Sequence, residues 1–387
     1  MANPTSIDLV RKLISYDTTS RNSNLELIAF VQGYLTDLGI DSTLVHNEGN
    51  SKANLYATLG DPTQSGIMLS GHTDVVPVDG QAWDSNPFEV IEQGSRLYGR
   101  GTSDMKSFIA VTLAMLPAFK ARGLATPLHI ALSYDEEIGC IGVRRMIDMI
   151  NTLPVKPAMA IIGEPTSMQV IVGHKGKRSY RGTVRGLEAH SSLAPTGVNA
   201  IEYAAELISY LKSMARRIAS EGPFDPLYDV THTTVHTGTI QGGTALNIVP
   251  RECSFDFEFR YIEGDDPDMI EAEIRSHVSE KLEPPMHQID PHSGIDIECI
   301  NDMPSLDLGA DDDIVTFVKA LAGRNDHAKV AFGTEAGLFQ KRSGIPAVVC
   351  GPGDINQAHK PNEFIELDQI TECEKFMGRL MDRICVA

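Results

Sequence analysis

Two histidines and a set of carboxylates stand directly after short apolar runs. Residues 67–70 lead into His72 and Asp74 of "SGHTD"; 128–133 lead into "YDEEIG", with Asp135, Glu136 and Glu137. Residues 158–162 lead into Glu164 of "GEPT", and 347–350 lead through "GPGDINQAHKPNE" to His359. Asp104, in "GRGTSDMKS", stands just before a helical pattern that begins near Ser107. Imidazole nitrogen and carboxylate oxygen are ligands of borderline divalent metals such as zinc. Two histidines and three carboxylates suffice for a pair of ions, with one histidine and one carboxylate for each and one carboxylate shared. Asp74, two residues past His72, is placed to accept the imidazole's other N–H and so fix its tautomer. Glu136 and Glu137 are neighbours whose side chains diverge. One can ligate while the other serves as general base, and spacing does not say which. Each residue alone has an ordinary reading, Asp104 as a helix N-cap or Glu164 as a turn residue before Pro165. Those readings do not explain why every such strand ends in the same chemistry.

The apolar runs read as buried strands of an α/β sheet. Helical patterns lie between them at 25–38, ending at Gly39, at 107–122, ending at Gly123, and at 143–151. Ligands of open α/β sheets bind beyond the carboxyl ends of the strands, so the five groups converge on one crevice. The middle of the chain differs. Strand 179–185, helix 199–219, strands 233–241 and 253–261, helix 267–282 and strand 294–300 follow the β-α-β-β-α-β order of an open-faced sandwich. Phe255, Phe257 and Phe259 alternate with Asp256, Glu258 and Arg260, as one-sided burial requires. The expected fold is an α/β catalytic domain, a mixed sheet flanked by helices, split by an inserted α+β domain. The expected segments are 1–178, 179–301 and 302–387.

The chain has 387 residues, 42% hydrophobic and 22% charged, with a formal net charge of -19. Such acidity disfavours nucleic acid as a partner. It suits a small cationic or amphoteric substrate, or simply solubility. No stretch approaches the roughly 18 apolar residues that span a membrane, and the start reads as an amphipathic helix, not a signal peptide. Six scattered cysteines without CxxC pairs fit a reducing compartment, and the expected location is the cytoplasm. "GHKGKRS" is not a P-loop, because only two residues separate its glycines.

"SGHTDVVP", "GRGTSDMK", "DEEIG" and "GEPT", in that order, resemble the metal motifs of the zinc-dependent aminoacylase and carboxypeptidase family, and "GLEAHSS" resembles its lid motif. The resemblance runs over nearly the whole chain. It implies two Zn2+ per chain, with Co2+ or Mn2+ as substitutes. His72 and Glu164 would bind one ion, Glu137 and His359 the other, with Asp104 between them. Glu136 would be the general base and Asp74 the support of His72. It further implies a cis peptide at Asp104–Met105, a lid made by the insertion, and a homodimer formed through that lid. His190 would reach the partner's active site and stabilise the oxyanion. Asn247 and Arg260, in "GGTALNIVP" and "FEFR", match substrate-binding positions, and the planar fork of Arg suits a carboxylate. The competing reading of Arg260 is a surface ion pair with Glu258 or Asp256. Thr334, in "FGTEAGLFQ", is a further substrate-binding candidate. That segment and "GPGDINQAHKPNEF" are similar to the acetylornithine deacetylase branch, apart from Asn362 where Asp is usual.

The function so implied is hydrolysis of a small N-acyl amino acid, N-acetyl-L-ornithine, to L-ornithine and acetate. The alternatives are succinyl-diaminopimelate desuccinylase or another acyl-amino-acid or dipeptide hydrolase. Outside enzymes, the alternative is a metal-holding module without catalysis, which the presence of Glu136 disfavours.

Overall fold

Four strands with almost wholly apolar sequences form the parallel centre of a larger sheet. They are Leu128–Ser133, Ile67–His72, Met159–Pro165 and Ala347–Gly351, adjacent in that order. Every residue of Leu128–Ser133, Ile67–His72 and Ala347–Gly351 is buried, as the inside of a two-sided sheet demands. Antiparallel strands extend the sheet on both sides. Ala53–Leu59 and Ser42–His46 lie beyond Leu128–Ser133, and Ile171–His174 lies beyond Ala347–Gly351. The computed structural model describes residues 3–386.

Parallel register aligns the strand ends. His72 lies opposite Ser133, and Ser70 lies opposite Ile162, which puts Glu164 level with His72. The helix Lys106–Arg122 packs against this centre and is mostly buried. Its approach depends on a glycine: a Cβ at Gly163 would lie 2.0 Å from the ring of Phe108. Glu164 and Asp104, on either side of that contact, are thereby drawn together. The Asp104–Met105 peptide is cis, as the family resemblance implies.

The chain divides into two compact units. One comprises 1–173, 306–329 and 334–387; the other comprises 174–305 and 330–333. The second holds an antiparallel sheet in the order Thr234–Gly242, Glu252–Tyr261, Gly176–Arg185, Gly294–Met303. Phe255, Phe257 and Phe259 are buried with Leu207, Leu211 and Ile274 from the helices Ala200–Glu221 and Pro267–His277. The second helix stops at His277, five residues before its expected end, and continues as a π turn, Val278–Leu282.

The first unit also carries elements that the sequence reading does not place. They include the helices Asp313–Ala322 and Leu367–Ile384 and a small sheet of Phe364–Glu366, Arg96–Tyr98 and Ile91–Gln93. No helix among the described residues is long and apolar enough to cross a membrane.

Candidate metal centre

The carboxyl ends of the parallel strands bring two His–carboxylate groups together. His72, Asp104 and Glu164 form one, and Asp104, Glu137 and His359 form the other; within each, the ligand atoms lie within 4.8 Å of one another. Asp104 belongs to both. Its Oδ1 lies 3.0 Å from His72 Nε2 and its Oδ2 3.4 Å from His359 Nε2. Glu164 Oε2 is 3.8 Å from His72 Nε2, and Glu137 Oε2 is 3.0 Å from His359 Nε2.

The turn after Leu128–Ser133 separates the adjacent glutamates. Asp135 has a positive φ of 55°, and Glu137 alone of the pair joins a His–carboxylate group. Glu136 stands outside both, its Oε1 accepting from Cys140 Sγ at 3.2 Å. Asp74 braces this turn. Its carboxylate accepts the backbone N–H of Glu136 (3.1 Å) and Glu137 (3.3 Å) and the hydroxyl of Ser20 (2.8 Å). His72 Nδ1 donates to the backbone carbonyl of Asp74 at 2.9 Å, with the Asp74 carboxylate 3.6 Å away. The tautomer is thus fixed chiefly by the carbonyl, leaving the carboxylate to hold the turn.

The electrostatics show a site short of positive charge. Burial, then the charge of Glu164, pushes Glu136 well above its ordinary value. Burial and Asp104 push Glu137 up to about 7, and burial raises Glu164. Against its own burial, Asp104 is held well below the carboxylate range by His359 and His72. Asp104 and Glu137 push His359 up to about 10. Glu164 Oε1 is buried with no hydrogen-bond partner. A nitrogen–oxygen donor set with a shared carboxylate and a buried orphan oxygen fits borderline divalent cations.

Three substrate-binding or lid candidates lie in the second unit. His190 is exposed, and its Nδ1 accepts the Ser192 N–H at 3.2 Å. Asn247 is close to it in that unit, its carbonyl accepting from Ser191 N at 3.0 Å. Arg260 pairs with Glu258 at 2.9 Å. Thr334 is in the first unit, buried, with its hydroxyl accepting from Ala336 N. Glu363 and Cys140 were not anticipated. Glu363 lies fully buried against the backbone of Asp104, and only its closeness in sequence to His359 hints at this.

The model of peptidase family M20/M25/M40 matches residues 68–383, which hold every group of the metal centre. The chain belongs to this family. The acetylornithine deacetylase of Proteus mirabilis is 34% identical, over 99% of this chain and 98% of its own. An M20 family metallo-carboxypeptidase from Sulfolobus solfataricus has the same fold, with a TM-score of 0.75 at 20% identity over 98% of each chain. A Bacillus subtilis M20 protein described as a dinuclear metal-binding peptidase gives 0.66 at 14% identity, over 97% of this chain and 96% of its own. This M20 member is a metal-dependent hydrolase acting on amides.

Proposed function

We propose that the chain removes the acetyl group from N-acetyl-L-ornithine, giving L-ornithine and acetate, with two Zn2+ bound. One observation carries the reading: Asp104 offers one carboxylate oxygen to each of two histidines, while Glu136 stands beside both groups and belongs to neither. The name of the full-length Proteus relative supports the substrate.

His72, Glu164 and Asp104 would hold one ion, and Asp104, Glu137 and His359 the other; Co2+ or Mn2+ would substitute. Bound zinc supplies an acidified water and a polarised acyl carbonyl. Glu136 takes the proton that the attacking water gives up. It then delivers that proton to the departing α-amine as the C–N bond breaks. Asp74 keeps Glu136 in place through the turn that it braces. His190 takes the Ser192 N–H at Nδ1, which would leave Nε2 as the nitrogen that donates to an oxyanion. Asn247, Arg260 and Thr334 would bind the polar groups of the substrate, Arg260 exchanging Glu258 for a carboxylate.

We infer a homodimer formed through the second unit. In that unit a groove of about 670 Å³ is lined by Ile201, Leu246, Ile248 and Val249. Of these, Leu246 is fully exposed. The cytoplasm is the proposed location, in keeping with six cysteines that form no disulfide.

A panel of N-acetylornithine, N-succinyl-diaminopimelate, N-acetylmethionine and simple dipeptides tests the substrate. The highest kcat/KM is expected for N-acetylornithine. Preference for another member would refute the substrate and leave the amide hydrolase standing. Sedimentation velocity tests the dimer, which a monomer at micromolar concentration would exclude.

A further inference from the structure

His359 is the least protected of the five ligand-type residues, its side chain 54% exposed against 7% for Glu137 and Asp104. It sits in a loop with a positive φ of 63°. Something other than packing must hold it. Gln81 Nε2 donates to the His359 carbonyl at 3.0 Å. The other end of the same amide, Oε1, accepts from Arg100 at 2.6 Å and from the Trp83 indole at 3.0 Å. Arg100 is fully buried and also donates to Glu363 Oε2 at 2.7 Å. Glu363 Oε1 accepts the backbone N–H groups of Gly101, Ser103 and Asp104 at 3.1, 2.8 and 3.1 Å. A continuous hydrogen-bonded path therefore runs from the backbone of Asp104 to the backbone of His359. It uses no atom that would bind metal.

We propose that Gln81 is a positioning residue for the Glu137/His359 ion. It sets the His359 backbone against Asp104 through Arg100 and Glu363, and so governs how tightly that ion is held. The His72/Glu164 ion shares Asp104 but depends on Gln81 far less, because Gln81 touches only His359 among the ligand-type residues and His72 is fixed separately by the Asp74 carbonyl. This inference rests on the two-ion reading above. Gln81 is a half-buried, uncharged member of the path, and when it is changed Arg100 keeps Glu363 as its counter-charge.

Two variants separate its contacts. Gln81→Glu keeps the acceptor for Arg100 and Trp83 and sets a carboxylate oxygen where the donor to the His359 carbonyl stood. Gln81→Leu loses both. Zinc binding to metal-stripped protein is followed by titration calorimetry, with thermal unfolding of the stripped protein as a control. Wild type should bind two ions. Both variants should bind the first within about 2-fold and the second about 10–100-fold more weakly, the usual loss for an outer partner of a metal ligand. The unfolding midpoint of stripped Gln81→Glu should not move, whereas that of stripped Gln81→Leu, which leaves an N–H of the buried Arg100 without its acceptor, should fall. Two wild-type-like ions in both variants would overturn the proposal, as would equal weakening of both ions with a lowered midpoint in Gln81→Glu. A single ion in the wild type would instead remove the two-ion reading, and this inference with it.

Discussion

His129 should make the protein acid-sensitive well above the carboxylate range. It lies on the strand Leu128–Ser133, is 3% exposed, and meets the Tyr56 hydroxyl at 2.8 Å through Nδ1. Burial pushes it down from 6.5 to about 4. The folded protein thus keeps this imidazole neutral where the unfolded chain protonates it. Stability from this group is full above pH 6.5 and is lost as pH falls towards 4. With those two values, linkage gives a loss of about 2 kcal/mol between pH 7 and pH 5, from a shift worth roughly 1.4 kcal/mol per unit. His129→Gln retains an acceptor for Tyr56 and removes the titration. Urea unfolding of both proteins at pH 7 and pH 5, metal-stripped so that ion release does not contribute, gives the difference. The wild type should lose about 2 kcal/mol more than the variant over that interval. Parallel losses in the two proteins would show that His129 is protonated at little cost in the fold, and the reasoning from burial would be wrong.

Chelation should abolish hydrolysis and zinc or cobalt should restore it; full activity in demonstrably metal-free protein contradicts the metal reading. Glu136→Gln should keep both ions and slow turnover by about 10²–10⁴-fold, whereas Glu137→Gln should lose an ion that excess zinc partly restores. The crossed result would reverse the two roles. His190→Ala should lower kcat more than it raises KM and leave metal content unchanged. Mixing it with Glu136→Gln should regain activity if His190 acts across a dimer, and no regain despite proven subunit exchange would exclude that.

The parts of the fold legible in the sequence are those whose signal is local and repeated. The parallel strands are short apolar runs between turn residues, and their ends carry the ligand types, so convergence follows from the sheet rule alone. The second unit was legible because Phe255, Phe257 and Phe259 alternate with charged neighbours over one continuous strand. The sorting of Glu136 from Glu137 was not legible, because it depends on a left-handed turn at Asp135 braced by a carboxylate 61 residues earlier. Gln81 lies in no motif, and Arg100 and Glu363, though inside "GRGTSDMK" and "GPGDINQAHKPNEF", show no sign there of pairing; the three meet only once the small sheet pairs Phe364 with Tyr98. The helix Leu367–Ile384 carries a weaker local signal. Ile370, Cys373, Phe376, Met377, Leu380 and Ile384 recur at helical spacing and are buried, but the polar residues between them mask the stripe.

The placement of charge in the first unit separates structure from chemistry. Where a buried charge serves the fold, it meets a counter-charge: Arg100 donates to Glu363, and three backbone N–H groups complete that carboxylate. At the strand ends the pattern breaks. Asp104, Glu137 and Glu164 are buried together with only two imidazoles among them, and one oxygen of Glu164 has no partner. Burying ionised carboxylates without counter-charge is unfavourable, so this cluster opposes folding of the metal-free chain. A sequence selected only for stability would replace at least one of these acids. That they stand at the ends of two different strands and at the start of a helix, with Glu136 held beside them and outside them, makes sense only if a cation completes the set. Local conflict with stability is expected where function requires it. Here it centres on the positions that the strand ends single out, with one further buried carboxylate, Glu335, that also has an unpartnered oxygen.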